Sequence, residues 1–205
     1  MSSCCQDKNT EIDALQASQA SVLKWVLAIN AVMFVVEMTT GLLAHSTALL
    51  ADSLDMLGDT LVYGFSLYVL RRGQKWLAIS VILKGLIMLG FGLFVLGEAF
   101  YKILHPALPV AELIGAIGAL ALLANGLCLY LLWRHRRDDI NMRSVWLCSR
   151  NDVLANLGVI LAAAGVALLH SRWPDILIGL VIAGLFLHTA FSVLRDALDQ
   201  YRQHT

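Results

Sequence analysis

Six apolar runs of about twenty residues alternate with short polar breaks along this chain of 205 residues. At a rise of about 1.5 Å per residue, each run is long enough to cross roughly 30 Å of hydrocarbon as a helix. The runs lie near 19–43, 46–70, 77–103, 110–134, 143–170 and 175–195. The breaks are Ala44-His45, the basic RRGQKW at 71–76, His105 through Pro109, RHRRDDINMR at 134–143 and SRWPD at 171–175. The pattern predicts an all-α membrane protein. Six transmembrane helices fill residues 18–196, between a polar tail at 1–17 and a short tail at 197–205.

Composition agrees: 59% of residues are hydrophobic, 15% are charged and mean hydropathy is +0.72. Ordinary soluble domains carry about 25% charged residues. Charge distribution then gives orientation. Arg71, Arg72, Lys75, Arg134, Arg136, Arg137 and Arg143 fall on one side with Lys8, Arg195 and Arg202, whereas the opposite loops hold only Arg172 and, at a helix end, Lys102. By the positive-inside rule both termini are cytoplasmic. Net charge is zero, with no basic stripe or aromatic platform, which argues against nucleic acid as a partner. Cysteines at 4, 5, 128 and 148 form no secreted disulfide framework. The opening MSSCCQDKNTEIDALQ is polar and contains acids, so it reads as a cytoplasmic tail rather than a cleaved signal peptide. Its Cys4 and Cys5 are either a metal-capturing pair or incidental thiols.

Polar residues inside the apolar runs carry the chemistry. Asp55 and Asp59 stand four apart in the second run, Cys148 and Asp152 four apart in the fifth. A carboxylate in hydrocarbon costs several kcal/mol unless it is paired, so such pairs call for a functional reading. Four residues turn a helix by only about 40° beyond a full circle, which keeps both members of a pair on one face. Helix rise puts Asp55 about 14 Å and Asp59 about 20 Å from the outer side, and Asp152 about 14 Å and Cys148 about 8 Å from the inner side. All four thus fall near the middle of the bilayer. Four ligands suit a tetrahedral ion. Three carboxylates and a thiolate favour Zn²⁺ or Cd²⁺ over Mg²⁺, which holds its waters in octahedral oxygen sites. The plainer alternatives are ion pairs with Lys84 or Arg150, although Arg150 lies about 200° round the helix from both ligands. For Cys148 the alternative is a small buried hydrophobe.

The stretch NAVMFVVEMTTGLLAHSTALLADSLDMLGD at 30–59 resembles the first two spans of the cation diffusion facilitator family, proton-coupled exporters of zinc and other divalent metals. Glu37, Gly41, His45-Ser46, Ala48-Leu49-Leu50 and the Asp55/Asp59 pair carry the resemblance. CSRNDVLANLGVILAA at 148–163 is similar to the family's second ligand-bearing helix, and SVLRDAL at 192–198 to its closing segment. The resemblance implies six helices, cytoplasmic termini and export of a divalent metal in exchange for protons, often by a homodimer within the lipid bilayer. It implies a transporter rather than an enzyme, with no prosthetic group, in a bacterial inner membrane. Two departures stand out: Cys148 replaces the usual His or Asp, and no cytoplasmic domain follows the sixth run, so the sequence reads as a short form.

Two other functions fit less well. An intramembrane aspartyl protease would need Gly-x-Gly-Asp, whereas Gly58-Asp59 follows Met56-Leu57. A non-transporting metal sensor would bind an ion without cycling. Around the four ligands, Asp52 is a second-tier metal residue or an interhelical hydrogen-bond partner, and Asn156 continues the Cys148/Asp152 stripe as an orienting group. Asn30, Glu37, Glu98 and Asn125 read as interhelical polar contacts, and Gly85, Gly90, Gly92 and Gly97 as a small face for helix packing or a dimer seam. His45, His105, His170 and His188 read as helix-end or surface residues. Trp25, Trp76, Trp133, Trp146 and Trp173 read as interfacial anchors.

Overall fold

The computed structural model describes the backbone at 3–69, 74–138 and 140–203, and side chains at 18–61, 64, 83, 85–138, 142, 145–147, 149–191 and 195. The described residues form six helices in chain order: α1 (Ser3–Leu43), α2 (Thr47–Val69), α3 (Gln74–Leu104), α4 (Ala111–Trp133), α5 (Ile140–Leu169) and α6 (Trp173–Gln203). Each apolar run became one helix. At the chain's two ends α1 and α6 continue through polar sequence, because a helix that is already nucleated gains a bond for each further residue. Five of the helices are long and apolar enough to cross a membrane. The remaining helix, α2, carries Asp52, Asp55 and Asp59, and its side chains at 62–63 and 65–69 lie outside the described residues.

Hydrogen bonds between loops fix the up-and-down arrangement. At one end α1 stops in a Schellman motif: Ser46 N–H reaches Gly41 O at 2.9 Å, His45 N–H reaches Leu42 O at 3.3 Å, and His45 takes φ 50°. Ser46 then caps α2, its Oγ accepting the Leu49 N–H at 3.0 Å. Asp175, from the first turn of α6, accepts the Ser46 hydroxyl and the amides of Thr47 at 2.6 Å and Ala48 at 3.2 Å. Val110, just before α4, donates its N–H to Ala44 O at 3.0 Å. The α1–α2 turn, the α3–α4 loop and the start of α6 therefore share one end, which the positive-inside rule makes the outer one. At the other end Gln19 donates to Asp138 at 3.2 Å, and His135 bonds Asp138 at 2.7 Å and lies 3.4 Å from Ser18 Oγ. His135 also explains part of the acid's behaviour, holding the Asp138 carboxyl below the usual range, with Gln19 second.

Packing makes α2 the central helix. It touches α1, α3, α5 and α6, while the closest pairs are α3 with α6, α1 with α2 and α4 with α5. Its outer half is sealed: Ala48, Leu49, Leu50 and Ala51 are all buried in or beside the main apolar cluster. At Gly179 a Cβ would come within 2.6 Å of Thr47 Cγ2, so α6 meets α2 there only through a glycine. In α3, by contrast, Gly90 and Gly97 face open space, and Gly92 alone of the three meets a neighbour, Leu187. Glu98, expected to bond between helices, sits 3.2 Å from Lys102 one turn along its own helix. Large apolar side chains such as Leu123, Tyr130, Leu161 and Phe191 point outward, as lipid contact requires.

Candidate functional site

The helices α2 and α5 pack against each other, and one contact sets their register. Asn156 Nδ2 donates to Asp52 Oδ2 at 2.6 Å, with both residues fully buried. Because α2 runs inward from the outer end and α5 runs outward, a step of one turn toward the cytoplasm goes up in number on α2 and down on α5. From that contact Asp55 lies about 4.5 Å further in and Asp152 about 6 Å; Asp59 lies about 10.5 Å in and Cys148 about 12 Å. The register thus levels Asp55 with Asp152 and Asp59 with the backbone position of Cys148.

Burial follows the same order. Asp59 and Asp152 are buried, with 5% and 7% of their surface exposed, and Asp55 is half-buried. All three acids interact with neighbouring groups. Asp59 also lies within electrostatic reach of Cys128 on α4. The Cys148 side chain lies outside the described residues, as do Cys4 and Cys5 and the side chain of Lys84. Among the described residues, no group of three His, Cys, Asp or Glu side chains is close enough to hold a metal ion. The two helices therefore bring the acids to matching levels, and among the described side chains these do not close into a ligand cage. Arg150, the charge that would have neutralised them, is exposed, its guanidinium 5.9 Å from the Trp146 ring.

A hydrogen-bonded chain surrounds this region. Asn125 Nδ2 on α4 donates to Asn156 Oδ1 at 2.8 Å, Asn156 donates to Asp52 on α2, and Asp52 stands beside the Glu37 carboxyl of α1. Asn156 and Asp52 thus bond between helices, the hydrogen-bond alternative considered for Asp52. Glu37 and Asn125, singled out separately as polar contacts, turn out to be the two ends of one network. Asn30 Nδ2 bonds Val26 O at 2.9 Å and approaches Cys128 Sγ at 4.0 Å, tying α1 to α4 lower down. In the sequence Cys128 stands out only as one of four cysteines. The available signal was its spacing of three from Asn125, which places both on the buried stripe of α4.

Known proteins resemble this chain over most of its length. Residues 23–200 match the family model described as the cation efflux transmembrane domain. The chain is 28% identical over 193 residues to the zinc transporter ZitB of Pectobacterium atrosepticum, covering 86% of this chain and 59% of that one. It is 23% identical over 200 residues to a cadmium, cobalt and zinc/H(+)-K(+) antiporter of Bacillus velezensis, covering 89% and 64%. It is 22% identical over 191 residues to the metal cation efflux system protein CzcD of Cupriavidus metallidurans, covering 86% and 60%. The chain thus spans about three-fifths of the length of these relatives, which are transporters rather than enzymes. Six helices and bacterial relatives together make it a multi-pass protein of a bacterial inner membrane.

Proposed function

Because the chain belongs to the cation efflux transmembrane domain family, we propose that it exports a divalent transition metal from the cytoplasm, Zn²⁺ first and Cd²⁺ second, in exchange for protons. The ion is held by Asp55 and Asp59 of α2 and by Cys148 and Asp152 of α5, with Asp52 and Asn156 orienting the two helices. The observation that carries this reading is the 2.6 Å contact between Asn156 and Asp52. It sets the register of α2 against α5, and helix rise from that contact puts the Asp55/Asp59 and Asp152/Cys148 positions at similar depths, which supports the reading. The names of relatives, which include zinc, cadmium, cobalt and H(+)-K(+) exchange, support the cargo and the counter-ion.

The coupling follows from the ligand types. Three carboxylates at one level repel one another when no ion is present, so the empty site takes up protons. An arriving ion displaces them, since metal binds only the deprotonated ligands. Metal and protons thus compete for one place. If helices rock so that this place faces the two sides in turn, inward proton movement drives metal out. A thiolate in place of imidazole moves the balance toward softer ions and removes the ligand that titrates nearest neutral pH.

The test is metal-driven proton flux in proteoliposomes of the full chain. Wild type should acidify or alkalinise the lumen in step with the Zn²⁺ gradient, and Asp55→Ala and Asp152→Ala should each abolish that flux. Flux retained in both variants would sink the assignment.

A further inference from the structure

Glu37 has no part in the ligand set, yet it is the most demanding side chain in the bundle. It sits on α1 about 9 Å from that helix's outer end. It is fully buried, and neither carboxyl oxygen has a hydrogen-bond partner. Next to it is Asp52, also fully buried, whose Oδ2 is taken by Asn156 and whose Oδ1 has no partner either. The two carboxyl groups interact with each other. As carboxylates both only accept, so three oxygens are stranded together until a proton arrives.

Among the described residues, no group of opposite charge acts on Glu37. Asp52 and Asp55 of α2 are the charged groups acting on Glu37, and both are acids. From α5 come the amide of Asn156 and, one turn further in, Asp152; from α4 come Asn125 and Cys128. Lys102, the buried lysine among the described residues, is 3.2 Å from Glu98 on α3 and is not among the groups acting on Glu37. Two bare carboxylates side by side in a buried helix bundle are strongly disfavoured. A single proton removes one charge and supplies the missing donor.

We propose that Glu37 and Asp52 share one proton, the Glu37 carboxylic acid donating to Asp52 Oδ1, and that this acid pair is a proton-binding site separate from the metal ligands. The shared proton completes a chain in which Glu37 and Asn156 both donate to Asp52 and Asn125 donates to Asn156. It joins α1, α2, α5 and α4. When water reaches the pair from an open outer or inner side, the proton passes to or from that water and the charge of the pair changes by one. Use of this proton as part of the counter-ion rests on the metal-exchange reading above; its presence does not.

Infrared spectroscopy of the purified full chain in H₂O and D₂O tests the presence. Wild type should show a protonated-carboxyl C=O band that shifts in D₂O, with a component missing in Glu37→Gln and in Asp52→Asn. Glu37→Gln keeps the shape and supplies a fixed N–H donor, so it should melt near wild type, whereas Glu37→Ala should melt lower. Bands of equal strength in wild type and both amide variants would overturn the proposal. Proteoliposomes test the use: Glu37→Gln should still bind Zn²⁺ by calorimetry while moving about one proton fewer per ion. An unchanged proton-to-metal ratio would overturn the counter-ion role. Failure of the metal reading looks different, with calorimetric binding unaffected by Asp55→Ala.

Discussion

Replacing Asn156 by leucine probes the contact that aligns the two ligand helices. The volume is nearly kept while both hydrogen bonds of this fully buried side chain are lost, the 2.6 Å bond to Asp52 and the 2.8 Å bond from Asn125. A buried polar group left without its partner costs about 1–3 kcal/mol. In membrane bundles the measured range per interhelical bond is lower, about 0.6 on average and about 1.7 at most, because the unfolded chain finds other partners. The bond to the charged Asp52 belongs at the top of that range and the amide–amide bond near its mean, so Asn156→Leu should cost about 2 kcal/mol. Asn125→Leu, which removes only the second bond, should cost about 0.6 kcal/mol. Unfolding in mixed micelles measures both. The exchange variant carrying Asp52→Asn and Asn156→Asp restores a donor opposite a carboxylate and should recover most of the loss. If Asn156→Leu costs no more than Asn125→Leu, the contact does not hold α2 against α5 and the register argument fails.

Three further outcomes follow from the outer and inner ends. Asp175→Ala strips the Ser46 hydroxyl and two α2 amides of their acceptor and should cost about 3 kcal/mol in the same unfolding assay, with a loss under about 1 kcal/mol counting against the cap. Gly179→Ala forces a Cβ to 2.6 Å from Thr47 and should destabilise by about 1–3 kcal/mol, whereas Gly97→Ala, with nothing within 4 Å, should be neutral or stabilising; equal effects would contradict the α2–α6 approach. His135 holds the Asp138 carboxyl below the unfolded value of about 3.9, so the pair adds stability above that pH and loses it as pH falls through the lower folded value. Melting curves of Asp138→Asn should therefore lack that acid-side fall, and an unchanged acid limb would refute the link.

Much of the fold was legible because membrane helices announce themselves by length and apolarity. His45 could be placed in a turn from the Ala44-His45 break in the apolar runs, and the structure adds the reason, a Schellman stop followed at once by the Ser46 cap. The backward reach of α1 to Ser3 was not legible, since the polar sequence before the span has no apolar period to read. Asp55, Asp59, Asp152 and Cys148 were picked out as acids and thiol in hydrocarbon, and the depth arithmetic that leveled them used only helix rise. What sequence does not give is which face meets which helix. Glu37 and Asn125 looked like separate polar contacts because their link runs through Asp52 and Asn156, more than one hundred positions apart in sequence. Glu98 misled for the same reason, a plausible interhelical acid that pairs with Lys102 on its own helix.

X-ray absorption at the zinc edge of the metal-loaded protein addresses the central claim, a site of three carboxylates and one thiolate between α2 and α5. Wild type should show one sulfur near 2.3 Å and oxygens at about 2.0–2.2 Å, with the sulfur shell lost in Cys148→Ser and zinc itself lost in Asp55→Ala. An all-oxygen or nitrogen-containing shell in wild type, or a sulfur shell that survives Cys148→Ser, would contradict it.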